Sequence, residues 1–355
     1  MAEALRLARK GLYTCDPNPR VGCVIADGQR VLGRGWHASA GGPHAEIVAL
    51  RDAKDPVSGK TAYVTLEPCA HHGKTPPCTE ALIEAGIRRV VIAGSDPHPQ
   101  VSGSGVEKLR AAGITVESGL MSTEAEALNP GFLSRMRKGR PWVRVKIAIS
   151  LDGRTALKDG DSKWISSEES RQDVQRWRAR SSAILTGIGT VLADNPQMNA
   201  RVDQDVRQPC RVIADSRWRT PLDSRILSSP EGAVIAGSRL QTVSTALESA
   251  GISCLSLPEE DGRLDLAALL SELADREINE LQVEAGATLN GTLLTAGLID
   301  EVLIYQAPVL LGDQAAGPFT FGPLESMADR THLELLETRR FGDDLRIRLQ
   351  PREGC

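Results

Sequence analysis

Between Gly41 and Gly86 the chain carries two segments, GGPHAEIVALRDA and EPCAHHGKTPPCTEALIEAG, that together hold His44, Glu46, Cys69 and Cys78. One imidazole and two thiolates form a good tetrahedral set for Zn²⁺ and leave a fourth position open, the arrangement of a catalytic zinc rather than a structural one. The fold must therefore bring together three side chains spread over 35 positions. His44 and Cys78 each stand where a helical pattern begins, and a helix N-terminus favours a deprotonated thiol. Two thiolates would also cancel the formal charge of the metal. Glu46, two residues beyond His44, is then free to move protons on a water.

The weight rests on the combination. His-x-Glu by itself means little in a chain with 46 acidic residues. Followed by Pro68-Cys69 and Pro77-Cys78, it resembles the signature of the zinc deaminases, in which the glutamate is an acid/base and not a ligand. A closed structural zinc, with Glu46 or another histidine as the fourth ligand, is the alternative. His71 and His72 are either substitute ligands or residues that orient substrate and the groups around the ligands. Asn18 has a pocket role at most, and Asn129 stays unassigned.

Around this centre the first 120 residues alternate β-rich runs (21–27, 61–66, 88–94, 113–119) with helical patterns, HAEIVALRDA, CTEALIEAG and GVEKLRAAG. Strands separated by helices of this length predict parallel βαβ units. The tetrapeptide Lys138-Gly139-Arg140-Pro141 is the best linker, which gives a domain of residues 1–140 and another of 141–355. The second repeats the α/β alternation with different spacing: 142–150, 182–187, 211–215, 280–286 and 300–312 read as its strands. At 355 residues each half is long enough for its own core.

The remaining composition narrows the function classes. Lys and Arg outnumber Asp and Glu by 18 to 14 up to residue 140 and are outnumbered 24 to 32 beyond it. The run RMRKGR (135–140) reads as a solvated helix end, and with aromatics at 3% the chain lacks the basic, aromatic face of a nucleic-acid binder. The first fifteen residues lack a signal-peptide core, and no apolar run is long enough for a membrane span. Seven scattered cysteines do not form a disulfide framework. The expectation is a cytoplasmic enzyme acting on a small molecule, with no nucleic acid, no membrane and self-association as a homo-oligomer.

Eight residues separate Cys69 from Cys78, where nucleic-acid deaminases have Pro-Cys-x-x-Cys. This longer EPCAHHGKTPPC, with DPNPRVGCVI (16–25), DPHPQVSGSG (96–105), LNPGFLSRM (128–136) and KIAISLDGRTA (146–156), resembles the bifunctional deaminase/reductase family of riboflavin biosynthesis along essentially the whole chain. The resemblance implies a cytidine-deaminase-like three-layer αβα domain followed by a dihydrofolate-reductase-like α/β domain. It implies Zn²⁺ on His44, Cys69 and Cys78, with Glu46 catalytic, and a phosphorylated pyrimidine as substrate.

For the second domain it implies NADPH, although neither a P-loop nor a G-x-G-x-x-G is present. Cofactor positions would be Ala148, Trp164, Thr190, Asp194, Ser216 and the turn Gly286, Ala287, Thr288, Leu289, Asn290, Gly291 and Thr292. Substrate positions would be Ser162, Arg178, Met198, Arg201 and Glu284. Guanidinium groups suit a phosphorylated substrate because they bind phosphate bidentately. Lys146 is a weaker candidate for a polar cluster with Asp194 and Glu284.

Overall fold

A computed structural model describes residues 1–70, 77–97, 103–228 and 232–352 of the chain. The chain divides into two compact units, Met1–Arg140 and Pro141–Cys355.

The first unit runs α1 (Ala2–Ala8), β1 (Gly22–Asp27), β2 (Arg30–Trp36), α2 (Ala45–Asp52), β3 (Thr61–Leu66), α3 (Cys78–Glu84), β4 (Arg89–Gly94), α4 (Ser104–Ala111), β5 (Thr115–Ser118), α5 (Ser122–Leu128) and α6 (Pro130–Lys138). Its five strands lie in the order β2-β1-β3-β4-β5. One face packs Cys23, Ile25, Val64 and Ile92 with Ala49 of α2, Leu82 of α3 and Leu109 of α4, and the other packs Val24 with Ala4 and Leu7 of α1, giving three layers. The parallel expectation holds for β3, β4 and β5. It fails for β1, which is antiparallel to both β2 and β3. The cause is β2, which the sequence reading did not identify: RVLGRGW has two glycines inside the strand, the usual mark of a weak one.

Those glycines have a packing role. A Cβ on Gly33 would lie 2.1 Å from the Ala49 carbonyl oxygen, and one on Gly35 would lie 2.1 Å from that of Ala45 and 2.4 Å from the Ala49 amide. Helix α2 therefore rests with its backbone directly on β2. On the other face Gly22 lets α1 approach in the same way, since a Cβ there would lie 2.0 Å from the Ala4 carbonyl oxygen.

The second unit runs β6 (Trp142–Ile149), α7 (Glu168–Arg180), β7 (Ala183–Gly187), α8 (Ile188–Asp194), β8 (Cys210–Ala214), β9 (Ala233–Ser238), α9 (Thr245–Ser249), β10 (Ser253–Leu257), the short ribbon β11 (Glu259–Glu260) and β12 (Arg263–Leu264), α10 (Leu266–Asp275), β13 (Glu280–Val283), α11 (Ala287–Thr295), β14 (Glu301–Gln306), β15 (Leu333–Phe341) and β16 (Asp344–Pro351). Nine strands form one sheet in the order β10-β9-β8-β7-β13-β6-β14-β16-β15. The seven from β10 to β14 are parallel, and the β15–β16 hairpin closes the edge in antiparallel fashion. This is the α/β sheet of a dihydrofolate-reductase-like domain. Valines and leucines of β6, β7, β13 and α10 make its main core.

Helix α7 is polar yet held tightly. Arg144, fully buried in β6, reaches Glu280 and Glu301 at 3.1 and 2.9 Å, and its guanidinium lies 4.5 Å from the centre of the Trp177 ring. Asp173 of the same helix accepts hydrogen bonds from the Tyr305 hydroxyl and from Arg346, both at 2.7 Å. Paired and hydrogen-bonded charges of this kind fix one placement of the helix, because any other would strand a buried ion.

Gly35→Ala should cost about 1–3 kcal/mol or more, since the added methyl meets helix backbone and not a side chain that can rotate away. Calorimetric unfolding checks this: the transition of the first unit should move down, and an unchanged transition would show that α2 does not rest on β2.

Candidate active sites in the two units

In the first unit β2 leads to His37 and a short loop, and the chain re-enters at His44 to start α2. Cys69 lies in the loop after β3, and Cys78 is the first residue of α3. The His44 Nδ1 is 3.2 Å from Cys78 Sγ and 3.6 Å from Cys69 Sγ, and the three donor atoms lie within 4.8 Å of one another. Among the described residues this is the only such cluster of metal-binding side chains. Backbone contacts hold the cysteines in place. The Cys78 amide donates to Cys69 Sγ at 3.3 Å, while the amide and hydroxyl of Thr79 both donate to the Cys69 carbonyl oxygen at 3.2 Å. Glu67, buried, accepts from the amides of Gly103, Gly105 and Val106 at the start of α4 and so anchors the strand that delivers Cys69.

The electrostatics suit a cation. A hydrogen bond from Cys78, outweighing burial, pulls the Cys69 thiol down to about 4, with His44 and the Cys78 amide adding to the effect. The Cys78 thiol is pushed up for the reciprocal reason, so the two sulfurs share one proton where a divalent ion would replace it. Glu46 is 3% exposed, and burial pushes its carboxyl up to about 7, close to the pH at which a proton shuttle works best. Its carboxyl shares a hydrogen bond with the Cys78 thiol. A set of one nitrogen and two sulfur donors beside a buried carboxyl fits zinc with one position left open.

His37 belongs to this site and escaped the sequence reading. Its Nδ1 donates to the Pro43 carbonyl oxygen at 3.1 Å, its Nε2 accepts from Asn18 at 3.0 Å, and its ring meets that of His44 edge-on at 5.4 Å. Burial lowers its pKa, so it is a neutral imidazole bracing the residue before a ligand. No spacing rule singles out a histidine in GWHASAGGPH. Asn18 thus lies beside the site, whereas Asn129 is structural: its side chain accepts from the Arg20 amide and donates to the Arg20 carbonyl. His71 and His72 lie outside the described residues.

In the second unit the candidate residues gather at the carboxyl ends of the parallel strands, where open α/β sheets bind ligands. A cavity of about 460 Å³ there is lined by Thr190, Asp194, Ser216, Gly286, Thr288, Leu289 and Thr292 from the sequence-derived set, with Gly187, Ile188, Gly189 and Leu266 among their neighbours. Gly189 and Gly286 face open space, a bare-backbone cradle that fits a dinucleotide. Asp194 is paired with Lys163 at 2.8 Å.

Ala148, Trp164, Ala287, Asn290 and Gly291 do not line this cavity. Asn290 is buried and donates to the Ala285 and Pro318 carbonyls, and a Cβ on Gly291 would lie 1.8 Å from the Thr320 carbonyl oxygen, so both hold the start of α11. Trp164 is 71% exposed, with the Arg171 guanidinium 4.8 Å from its ring centre.

The substrate candidates form a second group. Arg178 makes a bidentate pair with Glu284 at 2.7 and 2.8 Å, donates to the Asn199 carbonyl at 3.1 Å and touches Met198 Sδ. Gln282 and Lys146 complete the surroundings of Glu284. Burial alone would raise that carboxyl, but Arg178 and Lys146 outweigh it and hold it at about 2. Lys146 itself is lowered by burial, which Glu284 opposes and Arg178 reinforces. Its expected link to Glu284 is thus electrostatic, while Asp194 is engaged by Lys163. Arg201 is exposed, and burial, Arg178 and Arg225 all lower its pKa, so three arginines crowd one place. Arg225 is a member that no motif disclosed. Ser162, two residues before Trp164, is half-buried and does not line the cavity.

Comparisons with known proteins find separate likenesses for the two parts of the chain. Residues 1–94 match the cytidine and deoxycytidylate deaminase zinc-binding region, and residues 141–347 match the RibD C-terminal domain. The chain is 47% identical to the riboflavin biosynthesis protein RibD of Escherichia coli K12, covering 98% of each, and 41% identical to that of Bacillus amyloliquefaciens, covering 100% of this chain and 96% of the relative. A crystal form of Acinetobacter baumannii RibD superposes with a TM-score of 0.93 at 46% identity, covering 99% of this chain and 98% of that one. A diaminohydroxyphosphoribosylaminopyrimidine deaminase/5-amino-6-(5-phosphoribosylamino)uracil reductase of Thermotoga maritima does so at 0.89 and 34%, covering 99% and 97%. With both halves matched in order and relatives aligned from end to end, the chain belongs to the RibD family of riboflavin biosynthesis proteins.

Proposed function

We propose that the chain is a bifunctional enzyme of riboflavin synthesis whose units, 1–140 and 141–355, carry out successive steps. The first hydrolytically removes the 2-amino group of 2,5-diamino-6-ribosylamino-4(3H)-pyrimidinone 5′-phosphate. The second uses NADPH to reduce the ribosyl group of the product to ribityl. The observation that carries the reading is the convergence of His44, Cys69 and Cys78 with Glu46 buried beside them.

His44, Cys69 and Cys78 would hold the zinc, which when bound supplies Lewis acidity that brings the ionisation of water to about pH 7. Glu46, with a pKa near 7, accepts the proton of the attacking water. It then delivers protons to the ring nitrogen and to the departing amino group, so that ammonia leaves and a carbonyl remains. Cys69 and Cys78 stay as thiolates throughout, and His37 keeps the His44 loop in place.

In the second unit Thr190, Asp194, Ser216 and the turn from Gly286 to Thr292, with Ala148 and Trp164, are the residues we assign to NADPH, which supplies the hydride. Ser162, Arg178, Met198, Arg201 and Glu284 are those we assign to the substrate. Arg178 is already committed to Glu284, so Arg201 is the guanidinium with donors to spare for phosphate. Lys146 is buried beside Glu284 and Arg178, in the same polar cluster.

We further propose a cytoplasmic homo-oligomer. No helix among the described residues is long and apolar enough to cross a membrane, and the six described cysteines form no disulfide with one another. Self-association is supported by Leu333, Leu335 and Leu336, exposed on the edge strand β15.

Glu46→Gln separates the activities. Deamination should fall by about 10²–10⁴-fold, zinc should remain, and NADPH oxidation should persist when the deaminated intermediate is supplied. Loss of both activities in a folded, zinc-loaded variant would overturn the division of labour.

Arg201→Ala should weaken the phosphorylated substrate of the reductase by about 1.5–3 kcal/mol and leave NADPH affinity unchanged. Arg178→Ala should also lower stability, because Glu284 is then buried without its cation. Weakened NADPH binding with a normal substrate KM would move these arginines to the cofactor.

A further inference from the structure

The cavity at the carboxyl ends of β7, β8 and β13 has one wall that no sequence motif disclosed. It is the ribbon β11–β12, which contributes Gly262, Arg263 and Leu264. The ribbon is a two-residue hairpin: Asp261 and Gly262 both have positive φ, 50° and 73°, and Glu260 pairs with Arg263 across the turn. Turns with two left-handed residues favour Asp-Gly and match the twist of the flanking strands. On the far side of Arg263 the chain is pinned, because Leu264 and Leu266 are buried in the main core of the unit. Arg263 is thus an exposed side chain on an anchored backbone.

Its surroundings favour an anionic ligand. Among the described residues that line the cavity, Arg263 is the one cationic side chain and Asp194, already paired with Lys163, the one anionic side chain. It also lines a neighbouring hollow with Thr292, Thr320 and Phe321, so it stands at the wall where the two meet. Among the described residues Arg263 makes no ion pair, although Glu259, Glu260 and Asp261 precede it on the same ribbon. A guanidinium held at a cavity mouth with free donors is suited to a phosphate monoester, which it can grip bidentately.

NADPH and NADH differ only in the 2′-phosphate of the adenosine ribose. The backbone cradle at Gly189 and Gly286 is present for either cofactor and cannot distinguish them. A donor group placed at the 2′ position can, and a cationic one most strongly. We propose that Arg263 receives the 2′-phosphate of NADPH and sets the preference of the reductase for NADPH over NADH. This inference rests on the reading of the cavity as the cofactor site.

The test is calorimetric binding to the full chain of adenosine 2′,5′-bisphosphate and of adenosine 5′-monophosphate, with NADPH and NADH kinetics alongside. In Arg263→Ala the bisphosphate should bind roughly 10- to 100-fold more weakly, the loss of one charge-assisted contact. The monophosphate should be unaffected, and the ratio of kcat/KM for NADPH over NADH should fall by a similar factor. Arg263→Lys, which keeps the charge but not the fork, should fall between. Equal weakening of both nucleotides would show that Arg263 packs on the adenosine, and unchanged binding would show that it touches neither; each overturns the proposal. If neither nucleotide nor NADPH binds the wild-type chain, the cofactor reading of the cavity fails, and that failure is distinct because it precedes any substitution.

Discussion

The first site depends on the direct seating of α2 on β2. Gly33 and Gly35 remove the side chains that would hold the helix away, and the Ala45 and Ala49 backbone fills the space. The start of α2 is thereby lowered to the level at which His44 meets Cys69 and Cys78, and Glu46 is carried into the interior. A helix riding on ordinary side chains would lie several ångströms higher, since close packing leaves no slack to make up the distance. The glycines that make RVLGRGW a poor strand by its own preferences are the same ones that make the site possible.

Burial then gives each group its chemistry. Glu46, taken out of water, keeps a proton to about pH 7, which suits a group that must both accept and return one. The two thiols lie so close that they hold one proton between them, which leaves a negative pocket matched to a divalent ion. In the second unit the opposite solution appears. Glu284 is equally buried, but Arg178 and Lys146 keep it ionised. Two buried carboxyls in one chain are thus pushed in opposite directions by their neighbours.

What could be read from the sequence was what chemistry forces on residue type. A histidine and a cysteine at helix starts, a second cysteine nine residues before the first, and a glutamate two residues past the histidine are rare enough to be found without a structure. The second unit was opaque in this sense, because a dinucleotide held by bare backbone leaves only scattered glycines and threonines; Thr190, Ser216 and Thr288 line the cavity, yet none stands in a motif. The direction of β1 was missed because its partner β2 was hidden by Gly33 and Gly35. His37 acts through one carbonyl and one amide, contacts that depend on the folded loop and not on spacing. Arg263 was invisible for a related reason: its position follows from the Asp261-Gly262 turn and from where Leu264 is anchored.

The proposed deamination turns on one zinc held by three side chains with Glu46 beside them. Zinc content per chain, measured on the purified wild type and on His44→Ala, Cys69→Ser and Cys78→Ser, addresses it most directly. One zinc per chain in the wild type and little or none in each variant is the expected result, since each substitution removes a donor from a set that has no spare ligand. Full zinc occupancy in any of the three variants would contradict the ligand set and, with it, the site on which the proposed deamination rests.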